Sequence, residues 1–232
     1  MMNFENLSKY AFEGVGKYGI PEISKEKAEN LPESWASFAA ARAGKSPARV
    51  GIHFFLDDYR FRAVWNQPDR YIDLLRRFPA VLQPDFSLYT DMPRAMQIYN
   101  HYRKQWLAAY WQLCGLRVIP TICWSDQASY EWCFDGVPAG GCVAVSSVGT
   151  QKGKAEKQGF LDGYYAMLER LAPEAVLFYG KIPKDIPQSG IISIGETFYN
   201  KFDQAKEERK KWADAEQSEE KAAETGAEGS QA

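Results

Sequence analysis

Residues 142–179 read CVAVSSVGTQKGKAEKQGFLDGYYAMLERLAPEAVLFY, and this stretch decides the fold. CVAVSS (142–147) is a short run of small and β-branched residues, apolar at both parities, which suits a strand buried on both faces. A small, polar loop follows. Phe160, Leu161, Tyr164, Met167, Leu168 and Leu171 then recur at helical spacing and stop before Pro173. AVLFY (175–179) is a second apolar strand, closed by Gly180. Strand, helix, strand is the unit that joins parallel neighbours.

The same alternation extends toward the N-terminus. VGIHFFL (50–56) reads as a buried strand, and PDRYIDLLRRF (68–78) as a helix with Pro68 in its first turn. The run 80–83 is a short strand closed by Pro84. A long helix follows, with Asp91 as its cap, Pro93 in the first turn and Gly115 at its end. Its apolar stripe is Ile98, Tyr102, Trp106, Ala109 and Leu113. RVIPTI (117–122) reads as a strand in which Pro120 calls for an edge position or a bulge. Ser125 is placed to cap a shorter helix running to about Phe134, and IISI (191–194) is a final short run.

The expected fold is α/β: a mostly parallel sheet of five or six strands with alternating helices, as an open sheet or an incomplete (half) barrel. Strands 50–56, 80–83, 117–122, 142–147 and 175–179 are expected to share one sheet. Residues 1–45 read as a loosely helical N-terminal extension, 46–200 as a single α/β domain, and 201–232 as a charged helix running into a disordered acidic tail.

Composition narrows the function classes. The 232 residues carry a net charge of −2, which gives no global pull toward nucleic acid or anionic lipid. Residues 213–232 hold six acids and one base, so the rest of the chain is mildly basic. No apolar run is long enough to span a membrane, and the N-terminus lacks the pattern of a secretory signal. The four cysteines (114, 123, 133 and 142) contain no CxxC pair and read as reduced structural thiols, which fits a cytoplasmic location. Two histidines, His53 and His101, are too few for a multi-histidine zinc site. His53, inside a strand, reads as a hydrogen-bonded core residue. AARAGKS before Pro47 resembles a phosphate-binding loop, but it lacks the first glycine, a preceding strand and an unblocked helix start.

In parallel α/β folds, ligands bind along the carboxyl ends of the strands. That rim collects Asp57 and Asp58, then Asp85, Phe86 and Ser87, then Trp124 and Ser125, then Ser147 and Gly149, and finally Tyr179. Asp57, Asp58 and Asp85 are the candidate acid–base groups, or ligands of a divalent metal such as Mg²⁺. Phe86, Trp124 and Tyr179 are candidates to stack a planar ring. Ser87, Ser125, Ser147 and Gly149 are candidate substrate contacts, and the loop from Gly149 to Lys154 is a candidate phosphate cradle. Turn and cap chemistry accounts equally for Asp and Ser after a strand.

Six strings together carry a resemblance: FFLDDYRFRAVW, PDFSLYTDMPRAMQIYNHYR, VIPTICWS, FDGVP, VAVSSVGT and GFLDGYYAML. Over residues 48–182 the chain resembles an uncharacterised "domain of unknown function" family of bacterial, phage and mobile-element proteins. The resemblance implies a mobile-element context, which favours a role connected with nucleic acid, and it carries over no catalytic residue. Three readings stay open: an enzyme acting on a nucleotide, base or nucleic-acid end; a non-catalytic module for single-stranded nucleic acid that combines the aromatics with Arg60, Arg62, Arg70, Arg76, Arg77, Arg94, Arg103 and Lys104; and a factor that binds a host protein. None requires a membrane.

Overall fold

In the 142–146 strand, Val143 and Val145 join one apolar cluster while Cys142 and Ala144 join another. The 175–179 strand repeats the pattern, with Val176 and Phe178 on one side and Ala175, Leu177 and Tyr179 on the other. A period of two with both faces buried is what a central parallel strand requires. The computed structural model describes residues 5–43 and 49–195, and the compact unit they build is Met1–Ile194.

The strands are β1 (Gly14–Val15), β2 (Ile20–Pro21), β3 (Ser34–Ser37), β4 (Val50–His53), β5 (Val81–Leu82), β6 (Val118–Ile119), β7 (Thr121–Ile122), β8 (Cys142–Ser146), β9 (Ala175–Tyr179) and β10 (Ile191–Ser193). The α-helices are α1 (Phe38–Ala43), α2 (Ala63–Asn66), α3 (Ile72–Leu75), α4 (Arg94–Leu113) and α5 (Lys154–Leu171). β1 and β2 form a small antiparallel hairpin. The other eight strands pair only in parallel, in two four-stranded sheets of order β3-β4-β5-β6 and β7-β8-β9-β10. Spatial order equals chain order, and among the described residues no pairing joins β10 to β3, so the sheets stay open.

The sheets meet at Pro120, which corrects one expectation: the five strands do not share a single sheet, and the proline lies between β6 and β7, each the last strand of its own sheet. Lacking an N–H, Pro120 ends the ladder between β5 and β6. Side chains repair the break. Thr121 N donates to Gln83 Oε1 at 3.1 Å, and Thr121 Oγ1 donates to the Gln83 carbonyl at 2.8 Å. The Pro120 carbonyl still accepts from Ala144 N of β8.

One face of this layer is covered by helices. Ile52, Val81 and Val118 pack with Trp106, Leu107 and Trp111 of α4, while Val143, Val145 and Phe178 pack with Phe160, Tyr164 and Met167 of α5. The opposite face closes on itself. The His53 and Tyr179 rings lie 4.8 Å apart. Their strands, β4 and β9, are four inter-strand steps apart, roughly 19 Å in a flat sheet, so the layer must curl. Leu82, Ile119, Ala144 and Leu177 fill the hollow of the curl together with Trp35 and Phe55.

Residues 5–33 differ from the loosely helical expectation. Their described elements are one 3-10 turn (Glu5–Ser8) and the β1–β2 hairpin, and their backbone is satisfied by side chains of the main body. Trp106 Nε1 donates to the Tyr10 carbonyl, the Gln112 amide brackets Ser24, and Arg117 donates to the carbonyls of Lys27, Glu29 and Asn30. β3, which the sequence reading did not single out, adds in parallel to β4. The expected helix at 68–78 is a 3-10 turn (Pro68–Tyr71) continued by α3, and the expected helix after Ser125 is a 3-10 segment (Gln127–Glu131) capped by Asp126. The expected charged helix and acidic tail at 201–232 lie outside the described residues.

Candidate functional site

α4 begins after Pro93, which carries no capping side chain, so its first turn is organised by other groups. Gln97 Nε2 donates to the carbonyls of Tyr89 and Met92, each at 2.9 Å. Arg94 grips Asp126 with two bonds of 2.9 and 2.7 Å and also reaches Gln97 Oε1 and Ser125 Oγ. Ser125 Oγ donates to Gln97 Oε1 at 2.7 Å. The helix start is thereby fastened to the segment that leaves β7, and the Arg94 guanidinium holds the Asp126 carboxyl below the usual carboxylate range.

Along the helix, a buried polar stripe runs beside the apolar one that holds Trp106 and Ala109. Gln97, Asn100, His101, Lys104 and Gln105 are all enclosed, whereas Leu113 of the expected apolar stripe is 57% exposed. Lys104 is fully buried and donates to the Thr121 carbonyl at 2.9 Å and to Cys123 Sγ at 3.2 Å. Gln105 Oε1 accepts from Gln83 Nε2 at 3.2 Å. His101 Nε2 donates to the Asp135 carbonyl at 3.0 Å, leaving Nδ1 an enclosed acceptor, and burial pushes its pKa well down. A polar layer thus lies between α4 and the sheet, around the Pro120 break.

Asp85 stands at the open end of this layer, just past β5. Its Oδ1 is enclosed and has no hydrogen-bond partner. Burial pushes its pKa up to about 6; the Lys104 ammonium works against the shift, and the Asp58 charge adds to it. Cys123 donates its thiol toward the Phe86 carbonyl, and burial pushes the thiol up to about 12, so it remains protonated near neutral pH. Asp58 closes the other side. It accepts from Ser87 N at 3.3 Å and from Ser87 Oγ at 2.8 Å, with Arg103 at 3.8 Å. The Ser87 carbonyl in turn accepts from Asn100 at 2.7 Å.

Of the three carboxylates singled out in the sequence, Asp58 and Asp85 therefore come together, while Asp57 is exposed and its side chain caps nothing. Ser87 and Ser125 belong to the same network. Phe86 is fully buried, packed on Phe61 with Arg103 above its ring. Trp124 lies against Gly163 of α5 and donates to the Gly159 carbonyl. Tyr179 is stacked on Phe55 inside the curl. Ser147 is buried and donates to the Lys181 carbonyl, and Gly149 occupies a turn at φ 84° with open space beside it. His53 is a buried, hydrogen-bonded residue: its Nδ1 accepts from Phe55 N, and burial lowers its pKa to about 4.

A divalent cation does not fit this arrangement. Among the described residues no three His, Cys, Asp or Glu side chains form a metal-binding group. Asp85 faces an ammonium, and Asp58 is committed to Ser87 and Arg103.

Gln83 and Gln105 were missed by the sequence reading, which counted Arg103 and Lys104 only among the basic residues of a nucleic-acid surface and Cys123 only as a rim position. The available signal for a buried polar layer was the recurrence of polar residues at 97, 100, 101, 104 and 105 on one helical face.

The fold and this layer define a class: an open, parallel α/β protein with an enclosed carboxyl oxygen, Asp85 Oδ1, under the influence of the buried Lys104 ammonium past the carboxyl end of its strands. The chain belongs to the family described as domain of unknown function DUF4417, whose model matches residues 12–196. It is similar to the Gene 1 protein of Mycobacterium phage L5, at 39% identity over 176 residues, covering 75% of this chain and 76% of that protein. The Gene 1 protein of Mycobacterium phage D29 is also 39% identical over 176 residues, covering 75% of this chain but 64% of its own length. No solved structure matches. Among the described residues no helix is long and apolar enough to cross a membrane.

Proposed function

We propose that this phage-type protein is an enzyme acting on a nucleotide, base or nucleic-acid end at the rim beside β4, β5 and β7, with Asp85 as the acid–base group. The observation that carries this reading is the enclosed, unpartnered Oδ1 of Asp85 beside buried Lys104. A carboxyl held near pH 6 can exchange a proton with a bound group at neutral pH. Lys104 fixes the local charge, and Asp58, through Ser87, holds the loop that carries Asp85. Hydrolysis and glycosyl transfer are the reaction classes that need one such group. The free cysteines fit action in a reducing cytoplasm.

The exposed tyrosines favour a second reading, a non-catalytic module for single-stranded nucleic acid. Tyr59, Tyr89 and Tyr99 are 74%, 59% and 40% exposed. They stand next to or near Asp58, Ser87 and Asn100, the three residues joined by hydrogen bonds. Stacking of bases on such rings tolerates any sequence.

The test is turnover of a panel of nucleosides, nucleotides and short single-stranded oligonucleotides by the full chain. Asp85→Asn is expected to lower the rate by about 10²-fold or more while the protein stays folded. Full activity in Asp85→Asn would end the acid–base reading. Binding without turnover, weakening steeply with salt, would replace it with the module.

A further inference from the structure

Arg103 is a largely buried cation of the rim. Its side chain is only 14% exposed, yet among the described residues it donates no hydrogen bond, and Nε is enclosed without a partner. Its guanidinium carbon sits 3.6 Å from the centre of the Phe86 ring, with the Tyr99 ring at 5.6 Å. The nearest carboxylate, Asp58, is 3.8 Å away and already accepts from Ser87. Glu5, whose charge also reaches Arg103, is taken up by Trp65 Nε1 at 3.0 Å. A second cation, Arg62, lies close enough to repel Arg103 and is itself exposed.

A guanidinium pinned by one face on an aromatic ring keeps its in-plane donors fixed and directed outward. Such a fork matches the oxygens of phosphate, and a second arginine beside it adds charge without competing for the same geometry. With its one ion-pair oxygen 3.8 Å away, on a carboxylate shared with Ser87, the Arg103 fork has donors left for an acceptor from outside. Asp58 links Arg103 to Ser87, two residues beyond Asp85, so an anion held here lies beside the proposed acid–base group.

We propose that Arg103, with Arg62, binds a phosphate group, and that the ligand of the rim is therefore a nucleotide or the phosphorylated end of a nucleic acid rather than a free base. This inference rests on the rim reading above and narrows it.

The experiment titrates the full chain with inorganic phosphate, a nucleoside 5′-monophosphate, and a single-stranded hexanucleotide with or without a 5′-phosphate. The Arg103 Nε–H resonance of the unaltered protein is followed by NMR. The resonance is expected to shift with the phosphorylated probes, and the 5′-hydroxyl oligonucleotide to bind about tenfold more weakly or worse. Arg103→Met preserves the packing on Phe86 and is expected to lose that preference, whereas Asp85→Asn is expected to keep it. Tighter binding of the mononucleotide than of the hexanucleotide identifies a nucleotide site, and the reverse order a nucleic-acid end. No Arg103 shift with any phosphate probe overturns the proposal, whether or not Arg103→Met folds. Arg103 shifts without Asp85-dependent turnover would leave the anion site standing and remove the acid–base reading; turnover without shifts would do the opposite.

Discussion

Thr121 N donates to the side-chain oxygen of Gln83 at 3.1 Å, so an amide stands where the backbone of a neighbouring strand would. Gln83 is fully buried, and its carbonyl, Oε1 and Nε2 are all engaged around Pro120. Gln83→Leu keeps the volume and removes the repair, stranding Thr121 N and Gln105 Oε1. Two stranded groups at about 1–3 kcal/mol each predict a loss of roughly 2–6 kcal/mol in chemical denaturation. A loss below about 0.5 kcal/mol would mean the break needs no repair.

Stability should respond to pH through Asp85 with a definite sign. The folded chain holds the Asp85 proton up to about pH 6, whereas the unfolded chain releases it near the ordinary value of 3.8. Between these values the native state binds more protons, so stability falls as pH rises, by up to ~3 kcal/mol in total. His53 and His101 act oppositely: their lowered pKa values add stability above about 6.5 that is lost as pH falls, for His53 through about 4. Comparing Asp85→Asn with the parent isolates the carboxyl. The variant's melting temperature should gain on the parent from pH 4 to 6 and stay level above. A difference independent of pH would refute the raised carboxyl.

Lys104→Met removes the ammonium that restrains Asp85. The Asp85 carboxyl should then titrate higher than about 6, as read by carbon NMR of its side chain. The Thr121 carbonyl also loses its buried donor, so stability should fall by about 1–3 kcal/mol. An unchanged titration would separate the two residues electrostatically.

Gly163 is a contact site for Trp124. A Cβ added there would lie 2.1 Å from the indole Nε1. Gly163→Ala should push Trp124 off α5, break its bond to the Gly159 carbonyl and cost about 1–3 kcal/mol. Tryptophan fluorescence would report the displacement; an unshifted spectrum would count against this packing.

The parallel architecture was legible because β4, β5, β8 and β9 are buried on both faces and so read as continuous apolar runs. β3 was not, because Ser-Trp-Ala-Ser offers one large apolar side chain and each of its residues pairs with one 16 positions further on. The placing of Pro120 depended on Gln83, a compensation between residues 38 apart that no local rule contains. At the site, Asp58, Asp85, Ser87 and Ser125 were legible from their position after strands. Lys104 and Arg103 were legible only as basic residues of a nucleic-acid surface; their burial was not, because charge on a helix ordinarily marks the solvated face. Here Lys104 is tied to the Thr121 carbonyl and Cys123, and Arg103 rests on Phe86.

Chain order and strand order coincide from β3 to β10, and this bears on assembly at the ribosome. Each new strand emerges to find its only preceding partner already synthesised, so the layer can grow in one direction without waiting for a distant segment. The exception is the strap at 20–30. Ile23 N needs the Gly136 carbonyl, the Glu26 carbonyl needs Cys142 N, and Lys27, Glu29 and Asn30 need Arg117. The segment 20–30, made before the strands it crosses, is thus fastened only after them, across the junction where the two sheets meet.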